Sequence, residues 1–535
     1  MEPILVFENN KPYIVERFLA GEVDRVEVVQ EVLQRDFFEG INSRGILKSL
    51  AESYPWPWKH QEIPCWFYLA ASMAMRLHGN HAFHGFPWVV ATGGLIPAFG
   101  PELGVRDTDP ETGETRVRCP GFNKKNKKER ETPCDQDTLR KAARGTESAD
   151  LLAWFNGDVQ RLLRSKRFFD KQGVFVGDAS HIFVPDNDKY EGSARLLFDE
   201  NNHPVSSKEL KRMDPAKAAR CAWRRCYKLV SLIHTDLEGS FFTYAAIALV
   251  PGNAHESPIL WSMVDNFVGE MGTGVIKRLI LDRGFIDAES VGNAKSVYGI
   301  DVTIGVKRNM HVYKDAAGLC SFEDTEWHRY LPGEDDGGAE ANRGEPEAAP
   351  AKSRELWVAK AEGVTSFEGC AVPMNVAICT ESRDPAARGS WAVMSTCRDM
   401  GAVEMLLHYK LRTCIEERHR HIKCFWDIAQ FKSTNFNLVT HQVVMTLLTY
   451  SLLQMHFFRT GKKHLNKTTK PRMAERLKPV ASYIMVVKGQ YYGWFSTYEY
   501  TAMVLDVPEE ARERLRMRLR ELSKMLGRMM GMPGP

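Results

Sequence analysis

The chain has 535 residues, 44% of them hydrophobic and 26% charged, with a net charge of +3. That composition excludes a disordered, collagenous or disulfide-scaffold protein and leaves room for about two to four domains with sizeable cores. The near-balanced total says little about partners, but residues 118–130, 208–228, 459–478 and 512–528 are locally basic, and clustered Lys and Arg suit phosphate contact as well as they suit a solvated face.

Residues 1–105 read as a mainly helical region. "VDRVEVVQEVLQ" carries apolar residues at helical spacing, and "EIPCWFYLAASMAMRLHG" is an almost wholly apolar helix. The first ten residues lack a basic leader pattern, and the apolar runs Phe241–Val250 and Val443–Phe458 read as too short or too polar to span a bilayer. The eleven cysteines are an odd number, scattered without a zinc pattern, which fits a reducing compartment. Residues 106–169 form a basic linker, rich in Gly, Pro, Asp and Lys, that ends in a short helix near 148–165.

From residue 173 the pattern changes. "GVFVGDAS", "YKLVSLIHT" and "FFTYAAIALV" predict strands, "ILWSMVDNFVGEMG" a helix, "KRLILDRGF" a strand, "DAESVGNAKSVYG" a helix and "DVTIGVK" a strand. This order predicts an α/β fold, a mixed sheet with helices on its faces. Residues 311–395 interrupt it with a β-rich insertion around the acidic, Gly/Ala/Pro-rich "LPGEDDGGAEANRGEPEAAPAKS", which predicts a disordered loop. "ELWVAKAE" and "SWAVMSTC" predict strands on its flanks. Helical character returns over 396–460, and 461–535 is a mixed basic region, helical at its end in "PEEARERLRMRLRELSKMLGRMM". "GEMGTG" lacks the Lys-Ser/Thr of a phosphate loop.

Three acids then stand out. Asp178 and Asp282 each close an apolar run, and Glu416 lies in the cation-rich "YKLRTCIEERHRHIK". At about 100° per residue, Tyr409, Arg412, Glu416 and Lys423 fall at roughly 0°, −60°, −20° and −40°, one narrow stripe of a helix. Three carboxylates could hold two Mg²⁺ ions for phosphodiester chemistry, with Arg412 and Lys423 neutralising phosphates and Tyr409 bonding a phosphate or stacking on a base. The bland alternatives are an Asp capping a turn, an Asp282–Arg283 ion pair and an i, i+4 surface pair at Glu416.

Tyr409, Arg412, Glu416 and Lys423, at their fixed spacing and after "GVFVGDAS" and "LILDRGFIDAESV", resemble the Y-R-E-K signature of DDE transposases of the large bacterial insertion-sequence group. The resemblance covers about residues 170–460. It implies an RNase H-like catalytic core over 170–310 and 396–460, with 311–395 inserted. It implies Asp178, Asp282 and Glu416 as the catalytic, Mg²⁺-binding triad, with Mn²⁺ a substitute ion. It implies Tyr409, Arg412 and Lys423 as DNA contacts; Lys307 of "DVTIGVKRN" and Arg283 join them as candidates. The implied partners are terminal inverted repeats and target DNA, bound by a homodimer with no membrane, in a bacterial cytoplasm near the nucleoid. Asp170, Asp186 and Asp188 compete with Asp178, and Trp327, Trp357 and Trp391 are candidates to receive a flipped base. A nuclease on the same fold that does not join strands, or a DNA-binding protein derived from an inactive transposase, are the rivals.

Overall fold

The structure is a computed structural model that describes residues 11–30, 34–60, 63–91, 105–108, 115–118, 133–331, 355–467, 481–488 and 491–518. Two compact units divide the chain. One comprises 1–151, 425–456 and 467–535; the other comprises 152–424 and 457–466.

In the first unit, β1 (Arg25–Gln30) pairs antiparallel with a strand near the other end of the chain. This corrects the helix expected for "VDRVEVVQEVLQ". Arg25 and Glu27 alternate with Val26 and Val28, and β-branched residues at period two favour a strand once a partner edge is present. Helix α1 (Cys65–Leu77) is buried along its whole length, as its apolar run predicts. A short hairpin, β2 (Val105–Thr108) with β3 (Thr115–Arg118), stands within the expected linker. Asp135 caps α2 (Gln136–Gly145) by accepting from the Asp137 N–H.

The second unit is built on one ten-stranded sheet. Its strands are β4 (Val174–Val184), β5 (Ala194–Phe198), β6 (Ala222–Thr235), β7 (Thr243–Pro251), β8 (Arg278–Leu281), β9 (Asp301–Val306), β10 (His328–Tyr330), β11 (Leu356–Val364), β12 (Met374–Thr380) and β13 (Trp391–Ser395). The order is β10-β11-β12-β13-β9-β8-β4-β6-β5, with β7 also on β6. β8 runs parallel to β4 and β9, and the other pairings are antiparallel. The parallel segments, Val174–Gly177 of β4 with β8 and β9, are the buried kind and mostly apolar. Helix α3 (Glu256–Met271) packs Leu260, Val264 and Phe267 into the core of this sheet.

Two expectations change here. β4 does not stop at Asp178 but runs on to Val184, because β6 pairs with it from Val174 to Val184. The strands of 311–395 continue the same sheet, through the β13–β9 pairing of Ala392 with Val306. The acidic segment between them lies outside the described residues.

Helix α4 (Ala402–Phe425) follows β13 and seats Met405, Leu406, Ile415 and Ile422 in the interior. Helix α5 (Phe436–Arg459) is long and apolar enough to cross a membrane, yet 83% of its most apolar window is buried within the protein. Beyond it, β14 (Ala481–Val487) and β15 (Tyr491–Ser496) complete the small sheet with β1, so the end of the chain is not purely helical. Of the final basic helix, Glu509–Arg518 is helical, and the remainder lies outside the described residues.

Candidate active site

β4 and β8 run parallel with Gly177 opposite Leu281. Continuing that register by one residue sets Asp178 beside Asp282, on strands about 4.8 Å apart. A Cβ on Gly177 would meet the Leu260 and Leu281 methyls at 2.5 and 2.6 Å. Glycine therefore lets α3 and β8 close up directly below the first acid.

Asp282 follows the last residue of β8 and accepts the Arg283 N–H at 2.8 Å, capping a short 3₁₀ turn. The cap alternative is therefore real, but it uses one oxygen. The Arg283 guanidinium makes no ion pair with Asp282 among the described residues. Asp178 is 13% exposed, and His419 Nε2 lies 3.2 Å from its Oδ2. The two are close without an aligned hydrogen bond, and His419 Nε2 is buried with no other partner.

Helix α4 carries the stripe. Arg412 Nη2 pairs with Glu416 Oε1 at 2.8 Å, and Arg412 Nε lies 3.8 Å from Asp282 Oδ1. Burial works against this charge, but Asp282, Tyr409, Glu416 and Asp178 outweigh it and raise the guanidinium. Burial and Asp282 raise the Tyr409 phenol. Its oxygen rests on Gly305 of β9, where an added Cβ would stand 2.4 Å away. Lys423 Nζ donates to Ser180 Oγ at 2.6 Å. Burial pulls its ammonium down and Asp178 pulls it back up. Ser180 is two residues past Asp178, on the same face of β4.

The structure thus brings Asp178, Asp282, Tyr409, Arg412, Glu416 and Lys423 to one face of one unit. Glu416, however, is turned to Arg412, as the surface-pair alternative supposed. Among the described residues no three His, Cys, Asp or Glu side chains converge to hold a metal. The two aspartates fit the one or two carboxylates that Mg²⁺ accepts beside waters; the three acids as a set do not. Arg283 and Lys307 are exposed at the ends of β8 and β9.

The competing aspartates are engaged elsewhere. Asp186 and Asp188 pair with Arg225, Asp186 also with Arg195, and Asp170 caps the Gln172 N–H. Of the three tryptophans, Trp391 lies nearest the stripe, 6.5 Å from the Tyr409 ring and 38% exposed. Trp357 is stacked under Arg383, and Trp327 packs on the sheet core. Sequence reasoning assigned no role to His419, Ser180 or Gly305. The helical projection could have found His419, which falls at roughly −80°, beside Arg412. Ser180 and Gly305 carry no local signal.

Residues 171–452, more than half of the chain, match the family model described as Transposase DDE domain. The mixed α/β sheet is consistent with the RNase H-like fold of that domain. No curated protein matches the chain.

Proposed function

Because the chain belongs to the transposase DDE-domain family, we propose that this transposase cuts DNA at the terminal inverted repeats of its element and joins the freed ends to target DNA. The observation that supports this reading is the parallel register of β4 and β8, which pairs Gly177 with Leu281, each one residue before an aspartate, together with the contacts of Arg412 with Asp282 and Glu416 and of Lys423 with Ser180. The spacing of Tyr409, Arg412, Glu416 and Lys423 supports membership of the insertion-sequence group that carries the Y-R-E-K signature.

Asp178 and Asp282 are the residues that would hold Mg²⁺, or Mn²⁺ in its place; when bound, such an ion activates a water or 3′-hydroxyl and stabilises the leaving oxygen. The chain's own groups do the rest. Arg412 offers a planar fork to a phosphate, and Lys423 a point charge held over β4 by Ser180. A phosphate taken by Arg412 releases Glu416, which then turns toward the aspartates and completes the triad. His419 positions Asp178. Tyr409 donates to a phosphate, and Trp391 beside it stacks on an unpaired base. Arg283 and Lys307 extend the cationic rim. The protein acts as a dimer, one subunit for each end.

The test is cleavage of a labelled terminal-repeat duplex in Mg²⁺. Glu416→Gln and Asp282→Asn should bind the duplex and leave it intact, and full cleavage by either variant refutes the assignment. A joining assay with target DNA separates transposition from the alternative of a nuclease that cuts without strand transfer.

A further inference from the structure

Arg76 is 1% exposed in the last turn of α1, and among the described residues no carboxylate pairs with it. Its Nη1 donates to the Asn80 carbonyl at 3.2 Å and meets His81 Nδ1 at 2.9 Å, while its Nε has no partner. Burial pushes this guanidinium down to about 10. Charges this deep are normally paired or hydrogen-bonded throughout, because desolvation otherwise costs several kcal/mol.

A cavity of about 220 Å³ opens beside Arg76. Its wall includes Arg140, Lys432, Phe83 and His441. His441 is 1% exposed and neither ring nitrogen has a partner. Asp137, the acid on the wall, is already paired with Arg140 at 3.1 Å. Lys432 is exposed at the rim and makes no ion pair among the described residues. The wall therefore carries an excess of positive charge and two buried nitrogen-bearing side chains with unmet hydrogen bonds. At about 30 Å³ per water the space equals about seven waters, enough for a phosphate and the sugar that bears it.

We propose that this cavity is an anion site, separate from the carboxylate site, in which Arg76, Lys432 and His441 take the oxyanion of a phosphate group. An oxyanion accepts from the Arg76 fork, is neutralised by Lys432 and gives His441 a partner. The phosphate belongs either to a DNA backbone or to a small free phosphate compound, since the chemistry is shared.

The full-length chain tests this. Unfolding midpoints are compared in phosphate and in chloride at equal ionic strength, and binding of a short duplex is followed by anisotropy. Phosphate at 10 mM should raise the wild-type midpoint by ~3 °C or more. Lys432→Glu, an exposed change that keeps the fold, and Arg76→Met should lose most of that rise. If the source is DNA, Lys432→Glu also weakens the duplex about tenfold and reduces the salt slope by about one. A lost phosphate response with unchanged duplex binding identifies a free phosphate compound and equally supports the site. A wild-type midpoint indifferent to phosphate, or a rise that Lys432→Glu retains in full, overturns the proposal. Neither result depends on cleavage, so failure here is distinct from failure of the transposase reading.

Discussion

Arg412 and Arg76 are both withdrawn from water, but they meet the cost of burial in opposite ways. Arg412 keeps 21% of its side chain exposed and sits against Glu416 and Asp282. Arg76 is deeper and, among the described residues, has a carbonyl and an imidazole and no carboxylate. A cation held by carboxylates is a stable resting arrangement that a phosphate must break. A cation held by neutral groups is an unmet demand that a phosphate would satisfy. Under the two proposals above, the same chemical group acts as a latch in one unit and as a receptor in the other.

The strongest way to break this contrast is at the acids. Asp178→Asn, Asp282→Asn or Glu416→Gln should lower cleavage by at least about a thousandfold, ~4 kcal/mol of barrier, while duplex affinity stays within about threefold. If Glu416→Gln cleaves normally, the Arg412–Glu416 pair is only a surface contact. Next, Arg412→Lys should reduce cleavage by roughly ten- to a hundredfold, because an ammonium cannot reproduce the fork that spans Glu416 and a phosphate; wild-type rates from the lysine variant would remove the latch. Arg76→Met should behave differently. In phosphate-free buffer it should change stability by less than about 1 kcal/mol, since relief of a desolvated charge offsets the lost hydrogen bonds. A chemical denaturation curve decides.

A separate expectation concerns a buried group that stays neutral. His234 lies among Phe169, Phe175 and Phe241, accepts the Asp170 N–H at Nε2, and burial pushes it down to about 3. The unfolded chain protonates this imidazole near 6.5, whereas the fold does not until about pH 3. Stability therefore falls as pH drops below 6.5, by about 1.4 kcal/mol per unit from this residue. Urea midpoints at pH 7 and pH 5 should show the fall, and a His234→Asn variant should show a shallower one.

How much of this was legible in the sequence varied with the range of the interactions. The apolar runs of β8 and β9 and the stripe on α4 are local patterns, and the periods of strand and helix suffice to place them. The extent of β4 was not, because Asp178, Ala179 and Ser180 do not look like strand interior until β6 pairs with them. Arg25–Gln30 became a strand through a partner more than four hundred residues away. Of the cavity beside Arg76, the sequence offered only an arginine inside an apolar run. Its companions Arg140, Lys432 and His441 come from segments no spacing rule connects. The i, i+4 spacing of Arg412 and Glu416 makes their pairing legible, but helical geometry alone does not choose between that orientation of Glu416 and one toward the aspartates.

Lys423 lies fourteen positions after Tyr409, about 21 Å along an unbroken α4. Because one rod carries both, the groups cannot drift independently, and under the proposed function the phosphates they would meet lie at a set interval. Adding a single residue after Ile415 would swing Lys423 about 100° around the axis while leaving Tyr409 on its glycine seat. Every side chain would survive such a change, yet the yardstick they form would be lost.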